Sequence, residues 1–552
     1  MKKLLILIIG VLTVSFSANA QIEKEDQVKI ESLFSEWDSE NSAGVAIGII
    51  QDGKLIYTKA YGMGNLDYNI PLSASSKFYI ASTAKQFTAA CIALLSMEGK
   101  IDLDDEIQKY IPELPEYENK ITIRNLIHHT SGLRDYLELM DMRGQSFEDY
   151  FTINDGLKLI AKQNTTNFIP GDEYLYSNSG YIILAEIVNR ISGMTIRQYA
   201  QKNIFQPLGM TNTFFNDDHS QITKNRVISY RNQSDTLKRF VQNFDALGDG
   251  NLLTTINDIY LWDQNFYHHK VGGKELNDLI STQGVLNNGN TINYAFGLIQ
   301  EKYKGLKTVY HGGGFLGFRT QFIRFPEQNF SVIVFANTPD VNPTAKAYEI
   351  ADIMLEDKLL EPSKEVEPSI TSKTIKISNR KLKEFSAMYW HAEGQNSRKL
   401  YVKNDTLRYQ RSENNESKLL PISENEFKMS NFPGVKVKFS LKKDKKYTMI
   451  VTLDDGTLIE SFAYEPPTIT NNYLESFAGL YFSSELDCIY KFKMKDNSLF
   501  LYRNENELGE LIPVMNNLFI NNTIGTFRFN ESNKSEFNLN SERVRNLNFI
   551  KQ

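Results

Sequence analysis

Ser82-Thr83-Ala84-Lys85 opens an apolar stretch over residues 83–98 that stops at Gly99. The pattern predicts a buried helix with a glycine stop. Residues three apart share a helix face, so the Lys85 amine reaches the Ser82 hydroxyl. A serine hydroxyl is a weak nucleophile until a base takes its proton. Lysine becomes that base only when burial lowers its pKa, and the apolar stretch supplies the burial. The helix N-terminus adds a positive field and backbone donors where an oxyanion would form. The spacing alone is unspecific, since Ser-x-x-Lys recurs at Ser378/Lys381 and Ser440/Lys443.

Tyr176-Ser177-Asn178 forms a second candidate, in a loop ahead of a helix expected over residues 181–198. A tyrosine beside a cationic lysine would be held as phenolate and share the base role. Asn178 would orient Lys85 and hydrogen-bond a substrate amide. Tyr-x-Asn also recurs, at Tyr230/Asn232 and Tyr502/Asn504. The third element is His311-Gly312-Gly313-Gly314. Successive glycines let a backbone approach a ligand closely, and Gly314 can offer an N–H to an oxyanion. Taken singly, the three read better as a helix start, a turn before a helix and a flexible turn than as catalytic elements.

These residues need a frame. A chain of 552 residues is too long for one core. Residues 45–50 and 55–61 form two apolar runs joined through Asp52-Gly53, a hairpin signal, and residues 317–325 and 330–336 form another. Strands at both ends with helices between them predict one sheet in which the first and last strands lie side by side. This gives a catalytic region over residues 21–360. Residues 361–377, rich in Lys, Glu, Pro and Ser, read as a linker. Beyond it an internal repeat with an offset of 92 matches Leu382, Phe385, Tyr389, Leu407, Pro421 and Phe427 to Leu474, Phe477, Tyr481, Leu499, Pro513 and Phe519. Short alternating runs broken by Asn, Asp and Gly predict two small antiparallel β-barrel-like domains, over residues 378–467 and 468–552.

Lys2 and Lys3, an apolar run over residues 4–16 and Ser17-Ala18-Asn19-Ala20 have the three parts of a cleaved secretory signal over residues 1–20. The expected location is therefore secreted or periplasmic, with no membrane span in the mature chain. Losing Lys2 and Lys3 takes the formal charge from −6 to −8, and a mildly acidic chain without a long basic run is a poor candidate for binding nucleic acid. Cys91 and Cys488 are far apart, and Cys91 lies in an apolar run as a small buried hydrophobe. Seven His and two Cys show no metal-ligand spacing, no Gly-x-Ser-x-Gly elbow is present, and no nucleotide fingerprint stands out. No metal or other cofactor is expected.

In order and with their flanks, the three elements resemble the motifs Ser-x-x-Lys, Tyr-x-Asn and Lys/His-x-Gly of the serine β-lactamase and penicillin-binding protein superfamily. Residues 126–133, 207–210 and 250–255 look like its class C branch, which also holds D-aminopeptidases, D-alanyl-D-alanine carboxypeptidases and esterases. The resemblance covers about residues 30 to 355. It implies an α/β (α+β) fold with a central antiparallel sheet flanked by helices. It also implies that Ser82 is acylated, that Lys85 and Tyr176 move protons, and that Asn178 contacts the substrate amide. His311 and Gly313 would line the strand edge that binds substrate, and the N–H groups of Ser82 and Gly314 would form the oxyanion hole. His128 and His129 look structural. The implied activity is hydrolysis of an amide or ester in a small peptide, of a kind the cell wall supplies and with D-residues. Esterase or weak β-lactamase activity is an alternative, and a penicillin sensor that does not turn over is a third reading. His in place of Lys in the third motif suggests a charge that changes with pH, since free imidazole titrates near about 6.5.

Overall fold

The structure is a computed structural model describing residues 22–552 except residues 235, 360–373, 393, 413–414, 443–445 and 454–456. The expected secretory signal and most of the expected linker lie outside the described residues.

The elements that matter for the site are, in chain order, helix α1 (Lys24–Ser32), strands β1 (Val45–Gln51) and β2 (Lys54–Tyr61), and helices α2 (Lys85–Met97), α3 (Tyr136–Arg143), α4 (Asn178–Ser192) and α5 (Ile256–His268). Strands β3 (Ile299–Tyr303), β4 (Leu306–Phe315), β5 (Phe318–Phe325) and β6 (Phe330–Ala336) and helix α6 (Pro343–Met354) follow. The six strands make one sheet in the order β3-β4-β5-β6-β1-β2, antiparallel at every pair. The first and last strands do lie side by side, Val45 opposite Ala336 and Gln51 opposite Phe330.

Strand β1 is apolar on both faces because the sheet is covered on both faces. Val45, Ile47 and Ile49 join Ile30 and Phe34 near α1 and Ile350 of α6 in one core. Ala46 and Ile50 join Phe87 of α2 and Trp262 of α5 in the other. The period of two along a strand is what sorts them. Gly48 sits where α5 presses on the sheet, and a Cβ there would meet Ile256 Cγ2 at 2.5 Å.

Two helix expectations need correction. The regular part of α2 begins at Lys85, and Ser82 lies in the 3₁₀ turn Ala81–Ala84 that feeds it. The stretch expected as one helix over 181–198 is two. Helix α4 starts earlier, at Asn178, and ends at Gly193, which takes the left-handed conformation (φ 68°). A new helix, Ile196–Ala200, then begins with Thr195 and Gln198 in a reciprocal capping box. Gly193 and Thr195-x-x-Gln198 are the stop and start signals that the apolar periodicity had outvoted.

The repeat has a structural counterpart. Strands from Met388–His391 to Leu458–Tyr464 close into a barrel, and those from Gly479–Ser483 to Leu547–Lys551 form a nine-stranded, nearly closed sheet. Each copy opens with a short helix, Asn379–Glu384 and Asn471–Glu475. In each, a buried tyrosine donates its hydroxyl to a carbonyl four residues back, Tyr389 to Phe385 (3.1 Å) and Tyr481 to Phe477 (3.0 Å). The first barrel keeps its own core. The apolar interior of the second, including Tyr490 and Phe549, is continuous with that of the catalytic region. Arg134, fully buried, reaches across that junction to Glu485 at 2.8 Å.

Candidate active site

Ala81 carries a positive φ (48°), which turns the chain out of the sheet side and into the 3₁₀ turn bearing Ser82. The turn is held from β4 and β5. Thr320 Oγ1 donates to Ile80 O at 2.9 Å and shares a hydrogen bond with Thr83 Oγ1 at 3.0 Å. Gly313 packs directly on this backbone, and a Cβ on it would lie 2.3 Å from Ile80 O and 2.4 Å from Thr320 Oγ1. Gly314 has no such neighbour, the nearest atom to an added Cβ being Arg319 Cδ at 3.6 Å. Of the successive glycines, Gly313 is therefore required by packing, which leaves Gly314 free for a chemical reason.

Lys85 is fully buried, and its Nζ lies 3.0 Å from Ser82 Oγ, 2.8 Å from Asn178 Oδ1 and 2.6 Å from the carbonyl of Asp249. As a neutral amine it can donate to Asn178 and Asp249 and turn its lone pair to the Ser82 hydroxyl. Burial pulls its pKa down, against the opposing pull of the Asp249 and Asp135 carboxylates, while Arg543 assists the lowering.

Asn178 is held in turn by Asp135, whose Oδ2 accepts from the Asn178 backbone N–H at 2.7 Å and from Nδ2 at 2.9 Å. Its amide oxygen is taken by Lys85, so a single amide N–H is left for a substrate. Asp135 is itself fixed as the N-cap of α3, accepting from Leu137 N at 3.0 Å.

Tyr176 is pinned from both sides by His129. Leu175 N–H donates to His129 O at 2.9 Å, Ser177 N–H donates to His129 Nδ1 at 3.1 Å, and the two rings pack with centroids 4.1 Å apart. Burial pushes the Tyr176 hydroxyl well above the ordinary tyrosine range, with the nearby Ser82 hydroxyl opposing the shift. The expected phenolate is thus overturned: Lys85 stands over the ring face, 4.9 Å from the centroid, and burial outweighs the opposing pull of Ser82 and Arg543 on the hydroxyl. The hydroxyl makes no hydrogen bond among the described residues, so it is a donor in reserve.

His311 is likewise not the expected charge switch. It is buried, with Nδ1 2.6 Å from Gly312 O and Nε2 3.0 Å from the Tyr294 hydroxyl. An imidazole donating through Nδ1 and accepting through Nε2 is neutral, and burial, with Lys85 nearby, pushes its pKa down to about 3. His128, between the carbonyls of Arg124 and Thr282, is also pushed down, to about 4.

A cleft of about 520 Å³ brings the expected residues together: Ser82, Tyr176, Asn178, His311, Gly313 and Gly314 line it, with Lys85 beneath its floor. One wall is an open strand edge. β3 begins at Ile299, opposite Tyr310, so from His311 to Phe315 strand β4 is paired with β5 alone. An extended substrate can add to such an edge. Sequence reading missed Asp135, Asp249, Tyr294 and Arg543. Asp135 lies two residues past the 126–133 string and Asp249 one residue before the 250–255 string, so proximity to those strings was a usable signal. Nothing local marks Arg543.

A buried lysine against a half-exposed serine, beside an open sheet edge, is the apparatus of a serine hydrolase, and the protein is one. It belongs to the Beta-lactamase family, whose description matches residues 30–354. It is 25% identical over 448 residues to a penicillin-binding protein of Bacillus subtilis, a match that spans 78% of this chain and 96% of that relative. It is 30% identical over 297 residues to a D-aminopeptidase of Cereibacter sphaeroides, spanning 53% of this chain and 56% of the relative's length. Among solved structures, the octameric penicillin-binding protein homologue from Pyrococcus abyssi superposes with a TM-score of 0.54 at 21% identity, over 87% of this chain and 99% of that one. The D-amino acid amidase from Ochrobactrum anthropi gives 0.51 at 20% identity, over 60% and 99%. At such identities these two likenesses speak for the fold alone. Among the described residues no helix is long and apolar enough to cross a membrane.

Proposed function

We propose that the protein is a secreted hydrolase that forms an acyl-enzyme on Ser82 and cleaves amide or ester bonds in small peptides containing D-residues. The observation that carries the reading is the 3.0 Å approach of Lys85 Nζ to Ser82 Oγ, with the other two contacts of that nitrogen to oxygen acceptors. Neutral Lys85 takes the Ser82 proton as the oxygen attacks the carbonyl carbon. The N–H groups of Ser82 and Gly314 receive the oxyanion. Tyr176, holding its proton, passes it to the leaving group and is resupplied from Lys85. Water then attacks the acyl carbon, and the same groups run in reverse.

The D-peptide preference is supported by the D-aminopeptidase relative, and secretion by the charged head, apolar run and small-x-small site of residues 1–20. A penicillin-binding relative covered over nearly its whole length favours a second reading, slow turnover of β-lactams. The test is the full-length protein against D-amino-acid amides, short-chain nitrophenyl esters and nitrocefin, beside Ser82→Ala. Steady release from an amide or ester that vanishes in Ser82→Ala is expected. Turnover surviving that substitution would refute the reading, and a nitrocefin burst without turnover would replace it with a penicillin sensor.

A further inference from the structure

The second β domain reaches the catalytic cleft through the turn between its last two strands, Glu536–Asn540 and Leu547–Lys551. The turn is fastened to the catalytic region. Arg543 N–H donates to Glu138 Oε2 at 2.9 Å, and Arg543 O accepts from Asn167 Nδ2 at 2.9 Å and from Asp135 N at 3.3 Å. Arg545 N–H donates to Asn167 Oδ1 at 2.7 Å. Val544 is fully buried behind it.

What this anchoring presents is one guanidinium. The Arg543 side chain keeps 32% of its surface exposed, lines the cleft that holds Ser82, and stands 5.2 Å from the Tyr176 ring centroid. Among the described residues its guanidinium makes no hydrogen bond, and its nearest carboxylate oxygen, Asp135 Oδ2, is 3.9 Å away. Asp135 does not satisfy it, because that oxygen already accepts two hydrogen bonds from Asn178. Lys85 is committed beneath the floor and His311 is neutral in its hydrogen bonds. Arg319, beside Gly314, spends its NH1 on the carbonyls of Leu316 and Phe318. Among the described residues lining this cleft the one cationic side chain is therefore Arg543, with a planar fork of N–H donors suited to a carboxylate.

We propose that Arg543 is a specificity-determining residue through which the second β domain makes this hydrolase select substrates bearing a carboxylate near the scissile bond. The selection disfavours substrates that carry a free ammonium there, so a peptide is read at its acidic end and not at its amino end. The inference rests on Ser82 forming the acyl-enzyme.

The test uses full-length wild type, Arg543→Ala, Arg543→Lys and Arg543→Glu with two matched ester pairs. Mono-para-nitrophenyl glutarate against para-nitrophenyl pentanoate places the carboxylate on the acyl side. Meta-acetoxybenzoate against phenyl acetate places it on the leaving group. In at least one pair the anionic-to-neutral ratio of kcat/KM should fall roughly ten- to a hundredfold in Arg543→Ala, the range of one charge-assisted hydrogen bond. Lys should restore part of the ratio and Glu should depress it further. Equal losses for both members of each pair would overturn the proposal and make Arg543 a prop for Tyr176, and unchanged ratios in both pairs would overturn it outright. Fluorophosphonate labelling of Ser82 is run in parallel. A wild type that does not label at Ser82 refutes the acyl-enzyme itself, whereas normal labelling with no charge discrimination refutes Arg543 alone.

Discussion

The amine of Lys85 stands over the face of the Tyr176 ring, 4.9 Å from its centroid, and not against its hydroxyl. That placement divides the labour between the two. A cation on the π face does little for a phenolate, and burial holds the Tyr176 proton on, while the same burial pulls the Lys85 pKa down to about 8 and so loosens its proton. In the proposed reaction Lys85 is therefore the base and Tyr176 the donor.

Lys85→Arg should be nearly inactive with an uncharged ester, because guanidinium stays protonated at any working pH. The expected loss is about 10²–10⁴-fold in kcat. In wild type, kcat/KM for the same ester should rise with pH as Lys85 loses its proton and level off below the ordinary lysine value of 10.5. A rise that continues past that value would show that burial does not set the protonation of Lys85.

Tyr176→Phe removes a proton donor and leaves the base. We expect kcat to fall about 10²–10⁴-fold, with the rising limb of the pH profile unmoved. A limb displaced upward by more than about one pH unit would restore the phenolate reading.

Gly313→Ala drives a methyl group into Ile80 O and Thr320 Oγ1, the atoms that hold the Ser82 turn. Activity should be lost together with about 1–3 kcal/mol of stability, the usual range for overpacking. Gly314→Ala meets no atom closer than 3.6 Å and should keep the wild-type Tm. A Gly313→Ala protein with native Tm and full turnover would show that the turn tolerates displacement.

His311 should not report substrate charge between about pH 5 and 8, since its pKa is pushed down to about 3. His311→Gln should therefore leave the pH profile of KM for an anionic ester parallel to that of wild type, and diverging profiles would contradict this. The same burial has a stability consequence. His128, His129 and His311 all lie below the free value of 6.5, so below that pH the unfolded chain binds protons that the fold does not. Their contribution is full above about 6.5 and falls as pH drops toward 4, by up to roughly 1.4 kcal/mol per pH unit for each histidine, offset in part by Glu138 and Asp249, whose carboxyls burial pushes up to about 7 and about 6. A urea midpoint constant from pH ~7 to ~5 would refute it.

Glu485→Ala leaves the fully buried Arg134 guanidinium without its carboxylate, although Gln163 Oε1 and two carbonyls still accept from it. We expect a loss of about 3 kcal/mol, read as a lower urea midpoint. Because the apolar interior is continuous across this junction, the catalytic region and second β domain should unfold in one transition. Two separated transitions would show that the junction carries little of the stability.

The local part of this protein was legible from residue order. Ser82 and Lys85 meet because three residues of helical or 3₁₀ chain bring them to one side. The hairpins at each end of the sheet declare themselves in alternating apolar runs, and the 92-residue repeat returns as the same tyrosine-to-carbonyl bond in both β domains. Helix limits were less legible where two short helices share one apolar face, as at Gly193. What only the tertiary structure decided is which groups carry charge. Lys85 is set by Asn178, 93 residues away, and by the carbonyl of Asp249, 164 residues away. Tyr176 and His311 stay neutral because distant segments bury them. The cation that faces the cleft comes from Arg543 in another domain. Protonation depends on desolvation and on partners at a few ångströms, and those are assembled by packing between segments whose separation along the chain has no local signature.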